Sequence, residues 1–222
     1  MAGVEILLEN IVKRRGRFTL RINKLMIGER LVLVAGPNGS GKSTLLSLMA
    51  GVLRPNRGRI AYSVDGVRLS VEEAWSKLRL GFLLDSVEPP DATVEQLLDI
   101  TCLDDCSDII EGLGLRRVLE ERYSTLSAGY RKRVKLALAY ARRPRVVLID
   151  EPFNGIDYDS IWAIREFIAE QAAKKHTLTI LASHIDPGLD FQRVIILQDG
   201  GITYDGDPDK SPVPRMCTPP RG

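Results

Sequence analysis

Cysteine is scarce in this sequence, with only Cys102, Cys106 and Cys217 in 222 residues. An odd, sparse set argues against a disulfide framework. Cys102 and Cys106 fall four apart in a stretch with helical spacing, but no second pair or nearby histidine completes a zinc site. They read as small hydrophobes, with metal binding a remote alternative. Long apolar runs are also missing. None approaches the roughly 18 residues that a membrane-spanning helix needs, and the N-terminus lacks the apolar core and cleavage site of a secretory leader. The expectation is a soluble chain that stays where it is made. Charge of one sign is not in excess: 31 Lys and Arg face 29 Asp and Glu, a net of +2. That balance gives no long-range field for nucleic acid, and no nucleic-acid partner is expected, although a local basic patch is compatible with it. Hydrophobic residues at 44% and charged residues at 27% are globular values that argue against disorder.

What is present alternates between strand and helix signals. Val4, Ile6 and Leu8 share one face, and Leu20 and Ile22 repeat that pattern beyond a turn at Gly16. Residues 30–35 form a short apolar run, the pattern of a strand buried on both faces. A helix follows from Lys42 to Ala50, stopped at Gly51. Asp65-Gly66 marks a hairpin, and Ser70 with Glu73 forms a capping box. Leu80 to Leu84 is another buried strand. From Pro89-Pro90 to Leu126 the texture becomes helical. Thr93 with Gln96 caps one helix through Leu97, Leu98 and Ile100, and Ile109, Ile110 and Leu113 mark a second that ends at Gly114. Beyond this come helix 128–142, strand 146–149, helix 159–173, strands 178–182 and 194–197, and a hairpin through Asp199-Gly200-Gly201. Alternating strands and helices predict an α/β fold with a mostly parallel sheet.

Gly36-Pro37-Asn38-Gly39-Ser40-Gly41-Lys42-Ser43, followed by Thr44, fits G-x-x-x-x-G-K-[ST] between a buried strand and a helix start. Backbone N–H groups surround phosphate oxygens only where side chains do not obstruct, hence the glycines. The helix dipole and Lys42 add positive charge, and the Ser43 hydroxyl suits Mg²⁺. A Gly-rich turn that binds nothing is the plain alternative, but a chance match has odds of roughly one in a hundred. Strand 146–149 ends in Asp150-Glu151, which places two carboxylates at the carboxyl edge of a parallel sheet. Asp150 suits the metal, and Glu151 suits polarising a water for attack on a γ-phosphate. A solvated strand end is the plain alternative.

Between these motifs stands Leu126-Ser127-Ala128-Gly129-Tyr130, and here the chain resembles the ATP-binding-cassette (ABC) ATPases. The segment is similar to the family's LSGGQ signature, with Ala128 and Tyr130 as departures. The resemblance spans about Val4 to Asp207. It implies a P-loop ATPase core with an N-terminal antiparallel β-subdomain and a helical insertion at about 89–126. The cassette is expected over 1–206, with a Pro-rich, mobile tail over 207–222. By the same resemblance, Ser127, Ala128 and Gly129 cap the ATP of an opposite subunit, Asp157 lies at the dimer seam, and His184 is the switch histidine. A structural role for His184 is the ordinary alternative, and His176 reads as solvated. ATP and Mg²⁺ are the implied cofactors. The implied partners are a second cassette, identical or paralogous, and an integral membrane transporter subunit, so that the chain sits on the cytoplasmic face of the membrane. A soluble ABC ATPase uncoupled from transport, as in cofactor assembly, is the alternative.

Two positions depart further. The family's glutamine after the strand at 80–84 is Asp85 here, a carboxylate able to ligate Mg²⁺ but repelled by the γ-phosphate when the metal is absent. Its adenine-stacking aromatic is replaced by Arg15, with Phe18 nearby. Either can stack on a base, and a solvated charge is the alternative for Arg15.

Overall fold

A computed structural model describes residues 3–174 and 177–214. His176 and the tail beyond 214, with Cys217, lie outside the described residues. Strands β1 (Val4–Arg15) and β2 (Phe18–Ile27) pair antiparallel around Gly16, whose φ of 59° suits the tight turn. With β4 (Arg57–Val64) and β5 (Val67–Leu69) they form a four-stranded sheet in the order β2-β1-β4-β5. The second sheet has six strands, ordered β10-β9-β3-β8-β7-β6. These are β3 (Leu31–Ala35), β6 (Gly81–Leu83), β7 (Val146–Asp150), β8 (Leu178–Ser183), β9 (Arg193–Gln198) and β10 (Gly201–Gly206). All neighbours in it run parallel except β9 and β10.

The parallel strands are mostly apolar on both sides because both faces are covered, with polar residues chiefly at their ends. Alternate residues divide between two cores. Val32, Val34, Val146 and Leu148 pack with helix α1 (Lys42–Met49) and the inward face of the antiparallel sheet. Leu31, Leu33, Val147 and Ile149 pack on the opposite side, with the helical insertion and helices α5 (Ala128–Tyr140) and α6 (Tyr158–Ala173). Helix α2 (Val71–Lys77) and helix α3 (Val94–Thr101) carry the two capping boxes read from sequence, Ser70 with Glu73 and Thr93 with Gln96. Helix α4 (Ser107–Gly112) completes the insertion.

Within α3, Leu97 and Leu98 are buried and Ile100 is 84% exposed. One expectation needs correction. Cys102 and Cys106 do not share one helix and are joined by a disulfide, with Cys106 buried in the core and Cys102 packed against it. The α3 helix ends at Thr101, Cys102 is extended, and the loop to α4 turns one sulfur toward the other. In the described part of the tail, Asp186 N–H donates to Pro214 O at 3.0 Å and Val213 packs on the core.

The carboxyl ends of β3, β6, β7 and β8 meet along one sheet edge. At that edge the phosphate loop begins with Gly36 at φ 145°, where an added Cβ would stand 2.1 Å from Leu197 O. Gly39, at φ 81°, has open space around the same position. Gly36→Ala should therefore cost about 1–3 kcal/mol more than Gly39→Ala, because only the first forces backbone apart. Thermal unfolding of both variants checks this, and equal Tm values would contradict it.

Candidate functional site

The loop from Gly36 to Ser43 curls at the β3 end with left-handed φ at Gly39 and Gly41, which turns successive N–H groups inward. Lys42 folds back over it. Its ammonium donates to Gly36 O at 2.8 Å and to Pro37 O at 3.3 Å, and stands 3.0 Å from Glu151 Oε1. Pro37, Asn38 and Ser40 complete the loop, with the Ser40 hydroxyl buried and unpartnered among the described residues. The ring of Phe18 rests against the Cα of Gly41, where an added Cβ would stand 2.8 Å from Cζ. Phe18 pairs in register with Arg15, and both line an open cleft of about 440 Å³ with Asn38, Lys42, Ser43 and Thr44.

Glu151 is the centre of the opposite wall. Its φ is 43°, a left-handed value that a side chain other than Gly or Asn adopts only when its surroundings enforce it. Its N–H donates to Ala182 O at 2.9 Å, and its carbonyl accepts from Lys132 Nζ at 2.9 Å. The carboxylate lies between two basic groups, with Lys42 at Oε1 and His184 Nδ1 3.1 Å from Oε2. The Lys42 contact is an ion pair by distance without hydrogen-bond alignment, since Oε1 accepts no directed bond. Asp150, one residue earlier, is 2% exposed. Burial pushes its carboxyl above the usual range against a hydrogen bond from Ser43, with nearby Asp85 and Glu151 adding like charge. Its Oδ1 is buried with no hydrogen-bond partner among the described residues.

The structure thus gathers Lys42, Ser43, Thr44, Asp85, Asp150, Glu151, His184, Arg15 and Phe18 around one edge. It does not bring Ser127, Ala128 and Gly129 into that cleft. Ser127 caps α5, accepting from Tyr130 N–H at 3.3 Å, and Ser127 and Ala128 are exposed. Gly129 packs directly on α6, where an added Cβ would stand 2.1 Å from Ser160 Oγ and 2.4 Å from Asp157 Oδ2. Asp157 caps α6 through Ser160 N–H at 2.9 Å, and buried Arg133 donates to the Ser160 hydroxyl at 2.9 Å.

Two residues at the site were given no role there by the sequence reading. Asn154 lines the cleft from the turn after Glu151. Lys132 stands in the basic run Arg131-Lys132-Arg133, behind the cleft-lining Asp85 and Glu151. The phase of α5 was the available signal, since Lys132, Leu136 and Ala139 fall at i, i+4 and i+7 on the stripe that packs inward. Lys132 also changes the expectation for Asp85. Its Nζ lies 2.9 Å from Asp85 Oδ1, so that carboxylate has a counter-charge of its own.

The Asp157 cap gives a stability test. Its hydrogen bonds with Ser160 hold its carboxyl below the usual range. That stabilisation is present above the unfolded pKa and is lost as pH falls through the lower folded value. Asp157→Ala should cost about 1 kcal/mol at neutral pH. The gap from the parent should close below about pH 4. A gap that persists unchanged in acid unfolding curves would contradict this.

Comparison with known proteins bears on the whole chain. A family profile described as ABC transporter matches residues 22–154. The chain is 31% identical to the probable sulfate/thiosulfate import ATP-binding protein CysA of Chlorella vulgaris, over 91% of each chain. It is 30% identical to the zinc import ATP-binding protein ZnuC of Acinetobacter baylyi, over 81% of this chain and 67% of that one. In fold it is similar to an ATP-binding subunit of an ABC transporter at a TM-score of 0.74 and 24% identity, covering 92% of this chain and 90% of the other. The α/β fold and the resemblance read from the motifs both hold, and the chain belongs to the ABC transporter family as an ATP-binding ATPase subunit.

Proposed function

We propose that this chain hydrolyses ATP at the sheet edge between Lys42 and Glu151, as one of two cassettes that close around two nucleotides and drive a separate membrane subunit. The observation that carries the reading is the convergence of Lys42 and His184 on one buried carboxylate, at 3.0 and 3.1 Å. The loop N–H groups and Lys42 bind the triphosphate. Phosphate oxygens compete for the Lys42 ammonium, so nucleotide binding draws it from Glu151 and frees Oε1 to accept a proton from the attacking water. His184 holds the other oxygen and orients the carboxylate. Placement and electrostatics, more than covalent chemistry, lower the barrier.

Ser43 and Asp150 fit Mg²⁺. Asp150 Oδ1 is an orphaned buried oxygen, its other oxygen is bonded to the Ser43 hydroxyl, and hard oxygen donors suit this cation. Mg²⁺ bound there with ATP neutralises charge on the phosphates. Arg15 and Phe18, which line the cleft beside the phosphate loop, are the residues proposed to stack on the base.

Ser127, Ala128 and Gly129 serve the nucleotide of a second chain, a role supported by the exposure of the first two at a helix N-terminus outside their own cleft. Among the described residues no helix is long and apolar enough to cross a membrane, so the transport path is assigned to another polypeptide. A groove of about 210 Å³ between the loop after β6 and α5, lined by Phe82, Val87, Pro89 and Leu138, is the proposed seat for a segment of that subunit. The relatives named as import ATP-binding proteins support this coupling.

Lys42→Ala should abolish ATP binding measured by calorimetry. Glu151→Gln should bind ATP, accumulate as a dimer in light scattering, and lose on the order of a hundredfold or more in turnover. Parent-rate hydrolysis by Glu151→Gln would remove Glu151 as the base.

A further inference from the structure

Lys132 bonds two residues that line the cleft, Asp85 and Glu151. It sits in the second turn of α5, its side chain is 14% exposed, and its ammonium donates to Asp85 Oδ1 and to Glu151 O, each at 2.9 Å. These acceptors come from different strands. Asp85 follows β6 and Glu151 follows β7, so one ammonium ties a helix to two loop starts.

The Glu151 bond matters because of the backbone there. A left-handed glutamate costs on the order of 1–3 kcal/mol and persists only where neighbours fix it. Ala182 O fixes the N–H side of the residue. On the carbonyl side Asn154 N–H contributes only a long contact at 3.4 Å, so Lys132 supplies the short bond. Release of that carbonyl would let φ relax out of the left-handed region, which turns the Cα–Cβ bond and carries the Glu151 carboxylate away from Lys42 and His184. Asp85 is 63% exposed, so its ion pair contributes little stability. Its effect is directional, because it holds the ammonium at the Glu151 carbonyl. A neutral glutamine, as the resemblance leads one to expect, would lack that charge.

We propose that Lys132, oriented by Asp85, is a positioning residue for hydrolysis: it fixes the Glu151 backbone and ties it to the helix that begins at Ser127. Ser127 is five residues earlier on the same helix, about 7.5 Å along its axis. A displacement of α5 at that end is therefore transmitted to Glu151. This inference rests on Glu151 acting as the base.

The test compares ATP turnover, ATP affinity by calorimetry and Tm for the parent, Lys132→Met, Lys132→Arg, Asp85→Asn and the double variant. Lys132→Met should lower kcat on the order of tenfold to a hundredfold, with ATP Kd unchanged. Lys132→Arg should recover much of the loss. Asp85→Asn should lower kcat less, and combined with Lys132→Met should add nothing. Parent kcat in Lys132→Met, multiplicative losses in the double variant, or kcat falling only together with ATP affinity and Tm would overturn the proposal. If Lys132→Met does not fold, Asp85→Asn decides: a lowered kcat at unchanged Kd supports the proposal, and parent kcat overturns it. A parent chain that binds no ATP would instead refute the underlying functional reading, and parent turnover in Glu151→Gln would refute the role of Glu151 as base.

Discussion

A buried carboxylate pinned between an ammonium and an imidazole is the constraint on which the site depends. An isolated charge at that depth costs several kcal/mol, and breaking a buried pair by removing one partner is strongly destabilising. The side chains of Lys42 and Glu151 are 5% and 10% exposed, so each requires the other. Lys42 arrives from the end of β3, Glu151 from β7 and His184 from β8. The three meet only because these strands are parallel and in register, with Ala35 opposite Ser183 and Asp150 opposite Ala182. A slip by one residue in any strand would point the wrong face at the pair.

That register is maintained by burial on both sides of the parallel sheet. Odd and even residues of β3 and β7 enter different cores, and neither face tolerates a polar substitution without an unpaired group. The helical side is joined to the edge by polar links as well. Arg133 reaches the α6 cap through Ser160, and Lys132 reaches Asp85 and Glu151. These buried or half-buried cations make α5 a member of the site rather than a cover over it.

Much of this was legible in the sequence where chemistry and local geometry coincide. The phosphate loop, the Asp150-Glu151 strand end and both capping boxes depend on residues near one another in the chain. What escaped depends on partners far away. Lys132 was given no role because its acceptors lie 47 and 19 residues off in sequence. Asp157 was read from its resemblance alone, and its capping of α6 became visible only beside Ser160. The Cys102–Cys106 disulfide was missed because the spacing was read as one helix, whereas the chain leaves the helix at Thr101.

The central proposal is that each phosphate site is completed by Ser127 of a second cassette, and a copy of this chain is the partner that can be tried directly. Mixing two inactive variants tests it most directly, one carrying Lys42→Ala and the other Ser127→Arg. In a mixed pair the intact loop of one chain faces the intact signature of the other, so ATP turnover should reappear that neither variant shows alone. Mixtures that exchange subunits, verified by crosslinking, yet stay inactive at every ratio would contradict the account.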